Sequence, residues 1–202
     1  MSAHAEAAAP HEHHGPPEPH FSSRISPIML GILLFIASEI MLFGAFFTAY
    51  FFIRVVGGAE WPAEGDHLPK LIAGFNTAIL ISSSFTMHWA LQAIKRGSRA
   101  GLQAGLVLTL AMGATFLFTQ ILEYSRIGFG PKDGSIGSVF FGLTGLHGAH
   151  VAVGLILLSV ATVRAFRGHY SPEHHHGVEV PGIYWHFVDV MWIIVYTTVY
   201  IL

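Results

Sequence analysis

The sequence contains no cysteine, which removes a disulfide framework, a thiolate metal site and a thiol nucleophile together. Charge is scarce as well: 11% of the 202 residues are Asp, Glu, Lys or Arg, against roughly 25% in an average soluble domain. No dense block of Lys or Arg occurs and the formal net charge is -2 with His neutral, so there is no electrostatic footprint for a nucleic acid. The phosphate loop GxxxxGKS/T, the HExxH pair, a dinucleotide fingerprint between strand and helix, and the GxSxG elbow are all missing. No self-contained active site is legible. No repeat of about 20 to 50 residues stands out, and an inverted-repeat transporter gains no support.

What is present is apolar. Hydrophobic residues make up 52% of the chain and mean hydropathy is +0.56, the balance of an integral membrane protein. Five runs, near 27–53, 71–94, 101–125, 138–163 and 182–202, are long enough for a hydrocarbon core that takes roughly 20 helical residues to cross. Barrel strands would be about 10 residues with strict alternation, and these runs are continuous and longer. The expectation is an all-α integral membrane protein, a five-transmembrane-helix bundle forming one domain over residues 25–202. Glycines at 142, 145, 148 and 154, and at 101, 105 and 113, suit close helix packing in lipid.

Residues 1–24, MSAHAEAAAPHEHHGPPEPHFSSR, lack the basic start and apolar core of a secretory signal. They read as a disordered tail, whose histidines (His4, His11, His13, His14 and His20) have no packed scaffold to fix a metal geometry. With five spans, Arg24, Lys95, Arg96, Arg99, Arg164 and Arg167 share one side and Arg54, Lys70, Arg126 and Lys132 the other. That excess places the amino end in the cytoplasm and the carboxyl end outside. Trp61, Trp89, Tyr124, Tyr184 and Trp185 fall near the expected span ends, where amphipathic rings gather.

The stretch SEIMLFGAFFTAYFF puts Glu39 among apolar and aromatic neighbours, where an ionised carboxylate costs on the order of 2.5–3.5 kcal/mol on insertion scales. It is either a protonatable group in a relay or gate, or a neutral, hydrogen-bonded acid that helps pack helices. The other spans carry Asn76, Gln120 and Glu123, His147 and His150, and His186 and Asp189. Three of these pairs are spaced i, i+3, on one helix face, where they could hydrogen-bond directly or through water; the faces are expected to point inward. His147 and His150 cannot take opposite sides of one haem iron, and a ligand from another span would have to be His186, so hydrogen-bonded packing is the favoured reading. His186 and Asp189 read as a helix-anchoring pair ahead of a proton path. Arg164, Arg167 and the loop HYSPEHHHGVEV suit anionic lipid headgroups or ordinary interfacial charge equally.

Read in order, SEIMLFGAFFTAYF, GFNTAILISSS, TQILEY, GLTGLHGAHVAVG and HHHGVEVPGIYWHFVDVMW resemble the subunit III motifs of haem-copper oxidases, most like the five-helix bacterial cytochrome c oxidase form. The resemblance runs from about Ile28 to the carboxyl end. It implies an accessory subunit of a proton-pumping terminal oxidase that reduces O2 to water in the bacterial cytoplasmic membrane. Such a subunit holds no redox centre and no metal, packs on the catalytic subunit I beside the copper-carrying subunit II, binds phospholipid and supports proton uptake. Haem and copper belong to the partners, and cytochrome c is the donor to the complex. By motif, Glu39 matches the family's carbodiimide-reactive carboxylate, while Arg164, Arg167 and His169 match positions that contact lipid headgroups. The first two helices of the seven-helix form have no counterpart here, so the lipid cleft they wall is an open matter. A ubiquinol oxidase subunit III is the alternative; an independent transporter or proton channel is a more distant one.

Overall fold

The computed structural model describes residues 27–58 and 70–202; the expected tail, with Arg24, and Trp61 lie outside these. The described residues are helical and contain no strand. Helix α1 (Pro27–Phe51) continues into a π-helical turn (Phe52–Val56), followed by α2 (Lys70–Lys95), α3 (Arg99–Tyr124), α4 (Gly134–Phe166) and α5 (His176–Tyr196), which ends in a second π-helical turn, Thr197–Ile201. Four of the five, all but α2, are long and apolar enough to cross a membrane. At 26 residues α2 matches α3 in length, but Asn76, Thr77, Ser82, Ser83, Ser84 and His88 dilute its apolar surface.

Helices α2 and α3 form the most extensive pairing. Their turn is set locally: Gly97 takes a left-handed φ of 78°, which only glycine adopts without strain. The Ser98 backbone N–H closes α2 on Ala93 O at 2.8 Å, and its hydroxyl caps α3 by accepting from Gly101 N at 3.2 Å. Small residues then let the two backbones approach. A Cβ added at Gly105 would stand 2.7 Å from that of Ala90, and one at Gly101 2.8 Å from that of Ala93.

The core centres on Trp185, fully buried between α3 and α4. Cβ atoms at Gly113 and Gly154 would meet its ring at 2.4 and 2.8 Å, so the glycines form the slot that admits the indole. The Trp185 Nε1–H donates to Ser83 Oγ at 2.9 Å, and the Trp192 Nε1–H to Thr77 Oγ1 at 2.9 Å. Both bonds run from α5 to α2. Of the other α4 glycines, Gly142 receives the Phe46 ring, whereas a Cβ at Gly145 would meet nothing and one at Gly148 only Leu117 at 3.8 Å. Helix α1 lies against α4 and α5 and buries only Phe43 and Tyr50.

The fifth helix corrects the expected span at 182–202. It starts at His176 and carries Pro181 inside. Pro181 has no N–H for the Gly177 carbonyl one turn back, and the Tyr170 hydroxyl supplies the missing donor at 3.3 Å. The loop from His169 is accordingly shorter. Because α5 begins earlier, Tyr184 and Trp185 lie well inside it, and both are buried. Trp89 is half exposed, nearly two turns before α2 ends.

Candidate functional site

The carboxylate of α1 finds its partner on α4. Glu39 Oε2 lies 2.8 Å from His150 Nε2, with the two side chains 16% and 11% exposed. His150 Nδ1 is 2.7 Å from the carbonyl of Leu146, one turn back in its own helix. A carbonyl only accepts, so Nδ1 carries a proton. The Glu39–His150 bond then has two protonation patterns: a protonated acid donating to neutral imidazole, or a carboxylate accepting from imidazolium. Each leaves the pair with no net charge, which answers the insertion cost of a lone carboxylate. The Phe43 ring packs against His150 at 5.0 Å between centroids, and the Tyr184 hydroxyl donates to His150 O at 3.3 Å. A cavity of about 170 Å3 between Phe35, Glu39, Ala149, His150, Val153 and Tyr184 adjoins the pair.

A second group joins α2 and α5. Ser84 Oγ stands 3.0 Å from His186 Nδ1 and donates to Asp189 Oδ2. His186 and Asp189 therefore meet through a hydroxyl on another helix. A third group lies towards the end of α3. Gln120 Nε2 donates to Thr144 O at 3.3 Å and to the Tyr124 hydroxyl at 3.3 Å, which donates to Thr144 Oγ1 at 2.8 Å. The buried Glu123 accepts from the Tyr200 hydroxyl at 3.1 Å.

The i, i+3 expectation is corrected in one respect. None of the three pairs bonds within itself; each member reaches a neighbouring helix or backbone instead. Two side chains on one face diverge towards the neighbours on either side of it, and a bond across helices satisfies a polar atom while holding two segments together. His147 is the exception to both readings: it is fully buried, neither ring nitrogen has a partner among the described residues, and its ring lies between Phe116 and Trp192, at 5.7 and 4.7 Å.

Arg164, Arg167 and His169 are all exposed at the end of α4. The Arg164 guanidinium lies 5.6 Å from the Tyr170 ring centroid, within cation–π range. Burial pushes the Tyr170 phenol up from its ordinary value, and the Arg164 charge offsets part of the shift. Nearby, Glu179 of α5 lies 3.5 Å from Lys95 of α2 and 3.2 Å from His176. Among the described residues, no three His, Asp or Glu side chains are grouped to hold a metal ion.

Sequence reasoning missed the hydroxyl partners Ser84, Thr144 and Tyr200, since a lone hydroxyl in a helix carries no periodic signal. It also missed Arg54, whose guanidinium donates to Tyr50 Oη at 3.0 Å and to Leu202 O, while Tyr50 donates to Thr198 O at 3.2 Å. His88, one turn after Ser84 and exposed, is a further span histidine beside those considered; its spacing from Ser84 was readable.

Long helices with apolar outer faces, cross-linked by a few polar side chains, define a polytopic helical membrane protein. The sequence profile of cytochrome c oxidase subunit III matches residues 18–202. Cytochrome c oxidase subunit 3 of Thermostichus vulcanus is 42% identical over 175 residues, 86% of this chain and 87% of that protein. The subunit 3 of Synechocystis sp. is 44% identical over 194 residues, 95% and 79% of the two chains. That of the earthworm Lumbricus terrestris is 38% identical over 187 residues, 90% and 72%. The chain belongs to the cytochrome c oxidase subunit III family.

Proposed function

We propose that the chain is the accessory subunit III of a proton-pumping cytochrome c oxidase, in which it stabilises the catalytic subunit I, contributes to proton uptake and binds phospholipid. The observation that carries this reading is the family match over residues 18–202. In this reading α2 is the fifth span, its Thr77, Ser83, Ser84 and Thr86 hydroxyls bonded to α5 or α3, and residues 25–202 form one membrane domain preceded by a tail. The amino end is cytoplasmic, the membrane is the bacterial cytoplasmic one, and subunit II supplies the copper entry point for electrons from cytochrome c. Glu39, Gln120, Glu123, His150, His186 and Asp189 serve to join helices, and His147 packs its ring between Phe116 and Trp192. Arg164, Arg167 and His169 hold lipid headgroups.

The relatives' shared designation favours cytochrome c over ubiquinol as donor. Purification of the complex from its native membrane, followed by detergent removal of this chain, tests the assignment. Haem and copper spectra are expected to stay with the remaining subunits; a redox centre that leaves with this chain would refute it. Oxidation of ubiquinol but not reduced cytochrome c by the intact complex would move the chain to the quinol branch.

A further inference from the structure

Three buried side chains on three facing helices keep polar atoms that no protein group among the described residues satisfies: Gln120 Oε1, both ring nitrogens of His147, and Asp189 Oδ1. Their exposures are 4%, 0% and 3%. They lie on adjoining turns. The Gln120 amide bonds Thr144 O, one turn before His147 on α4, and Phe116, one turn before Gln120 on α3, packs on the His147 ring. On the α5 side Trp192 packs on the same ring, one turn after Asp189. Buried polar atoms in native proteins are nearly always paired, with protein or with ordered water.

The chemistry of the set points to water. A neutral imidazole offers one donor and one acceptor, and the Gln120 oxygen only accepts. A water molecule can accept from the imidazole N–H and donate to the amide oxygen, and a second can serve the other ring nitrogen. At the next turn of α3, Thr119, Glu123, Arg126, Ile72 and Leu122 line a cavity of about 70 Å3. One water occupies about 30 Å3 in the liquid, so the cavity has room for more than one.

We infer that Gln120, His147 and Asp189 hold internal water, and that this water joins the cavity at Glu123 to the Asp189–Ser84–His186 group as a hydrated path through the half of the bundle nearest the end of α3. The path passes the titratable groups Glu123, Tyr124, Tyr200 and His147 before reaching Asp189 and His186, with His88 at the outer surface beyond. The Glu39–His150 pair is linked to α1 and is separate from it. The inference concerns this chain's interior and does not rest on the oxidase assignment.

A map of the purified complex at a resolution that shows ordered water decides the first part. Density is expected at about 2.7–3.2 Å from a His147 ring nitrogen and from Gln120 Oε1; contact of these atoms with protein groups alone would overturn the inference. Deuterium exchange at the His147 ring, followed by nitrogen NMR on the 15N-histidine-labelled complex and assigned with His147→Phe, decides the second. Filling the cavity with Thr119→Phe, or with Ile72→Phe from the α2 side, is expected to slow that exchange by about tenfold or more, because exchange must then wait for helix opening. Unchanged exchange with either cavity-filling variant would overturn the path. The native map needs no variant and stands even where a substitution prevents assembly.

Discussion

Glu39 on α1 and His150 on α4, 111 positions apart in the chain, meet at 2.8 Å as a pair whose net charge is zero in either protonation pattern. Substituting Glu39→Gln keeps a side-chain donor for His150 Nε2 and removes the titratable proton. Assembly and O2 reduction are expected to remain close to those of the parent. A large fall in turnover with assembly intact would assign Glu39 a working proton. Glu39→Leu, which leaves Nε2 without a partner, is expected to destabilise by about 1–3 kcal/mol, read as earlier loss of the chain from the complex on heating.

The Trp185 slot gives a steric prediction. Side-chain atoms added at Gly154 or Gly113 fall on the indole, and overpacking of this kind costs about 1–3 kcal/mol. Gly154→Val is expected to lower the melting temperature of the assembled complex, and Gly145→Val, where a Cβ meets nothing, to lower it less. Equal shifts would show that the slot does not govern stability.

Ser84 is the hinge of the α2–α5 polar group. Ser84→Ala removes the hydroxyl that donates to Asp189 Oδ2 and is expected to cost about 1–3 kcal/mol. Ser82→Ala, two positions away with its hydroxyl bonded only to its own helix, is expected to be within about 0.5 kcal/mol of the parent. Thermal release of the chain from the complex compares the two.

The helix start around Pro181 carries a milder prediction. Tyr170→Phe removes the hydroxyl that serves the Gly177 carbonyl and is expected to cost about 0.5–1.5 kcal/mol. Amide exchange at residues 176–180 should quicken, while the rest of α5 stays protected.

At the same end of the bundle, replacing Arg164 and Arg167 together by Ala is expected to lower the tightly bound anionic phospholipid of the purified complex and to hasten its inactivation during turnover. Mass spectrometry of lipid extracted from the purified variant gives the measurement. Unchanged lipid content would remove these residues from the lipid site.

Much of the fold was legible because lipid demands long continuous apolar helices, and the runs from α1 to α4 end within a few residues of their expected limits. The start of α5 was not, since the expected boundary falls just past Pro181 and a proline normally marks a helix edge; only the spatial neighbour Tyr170 explains how the helix runs through it. Within the site, the polar residues stood out against apolar surroundings, but not their partners. Glu39 and His150 were both candidates, yet spacing along one helix suggested His147 as the neighbour of His150, and the actual partner sits on another helix. Trp185 was placed at an interface by its chemistry, whereas the glycines at 113 and 154 that make room for it are far apart in sequence.

The two indole bonds from α5 to α2 bear on the axial register of the bundle. Thr77 and Ser83 ascend α2 while Trp192 and Trp185 descend α5, so a slip of one turn, about 5.4 Å, would break both bonds at once. These bonds add a polar register to the steric one set by the glycine slot around Trp185. The least apolar helix is thus held in axial register by its two bonds from α5.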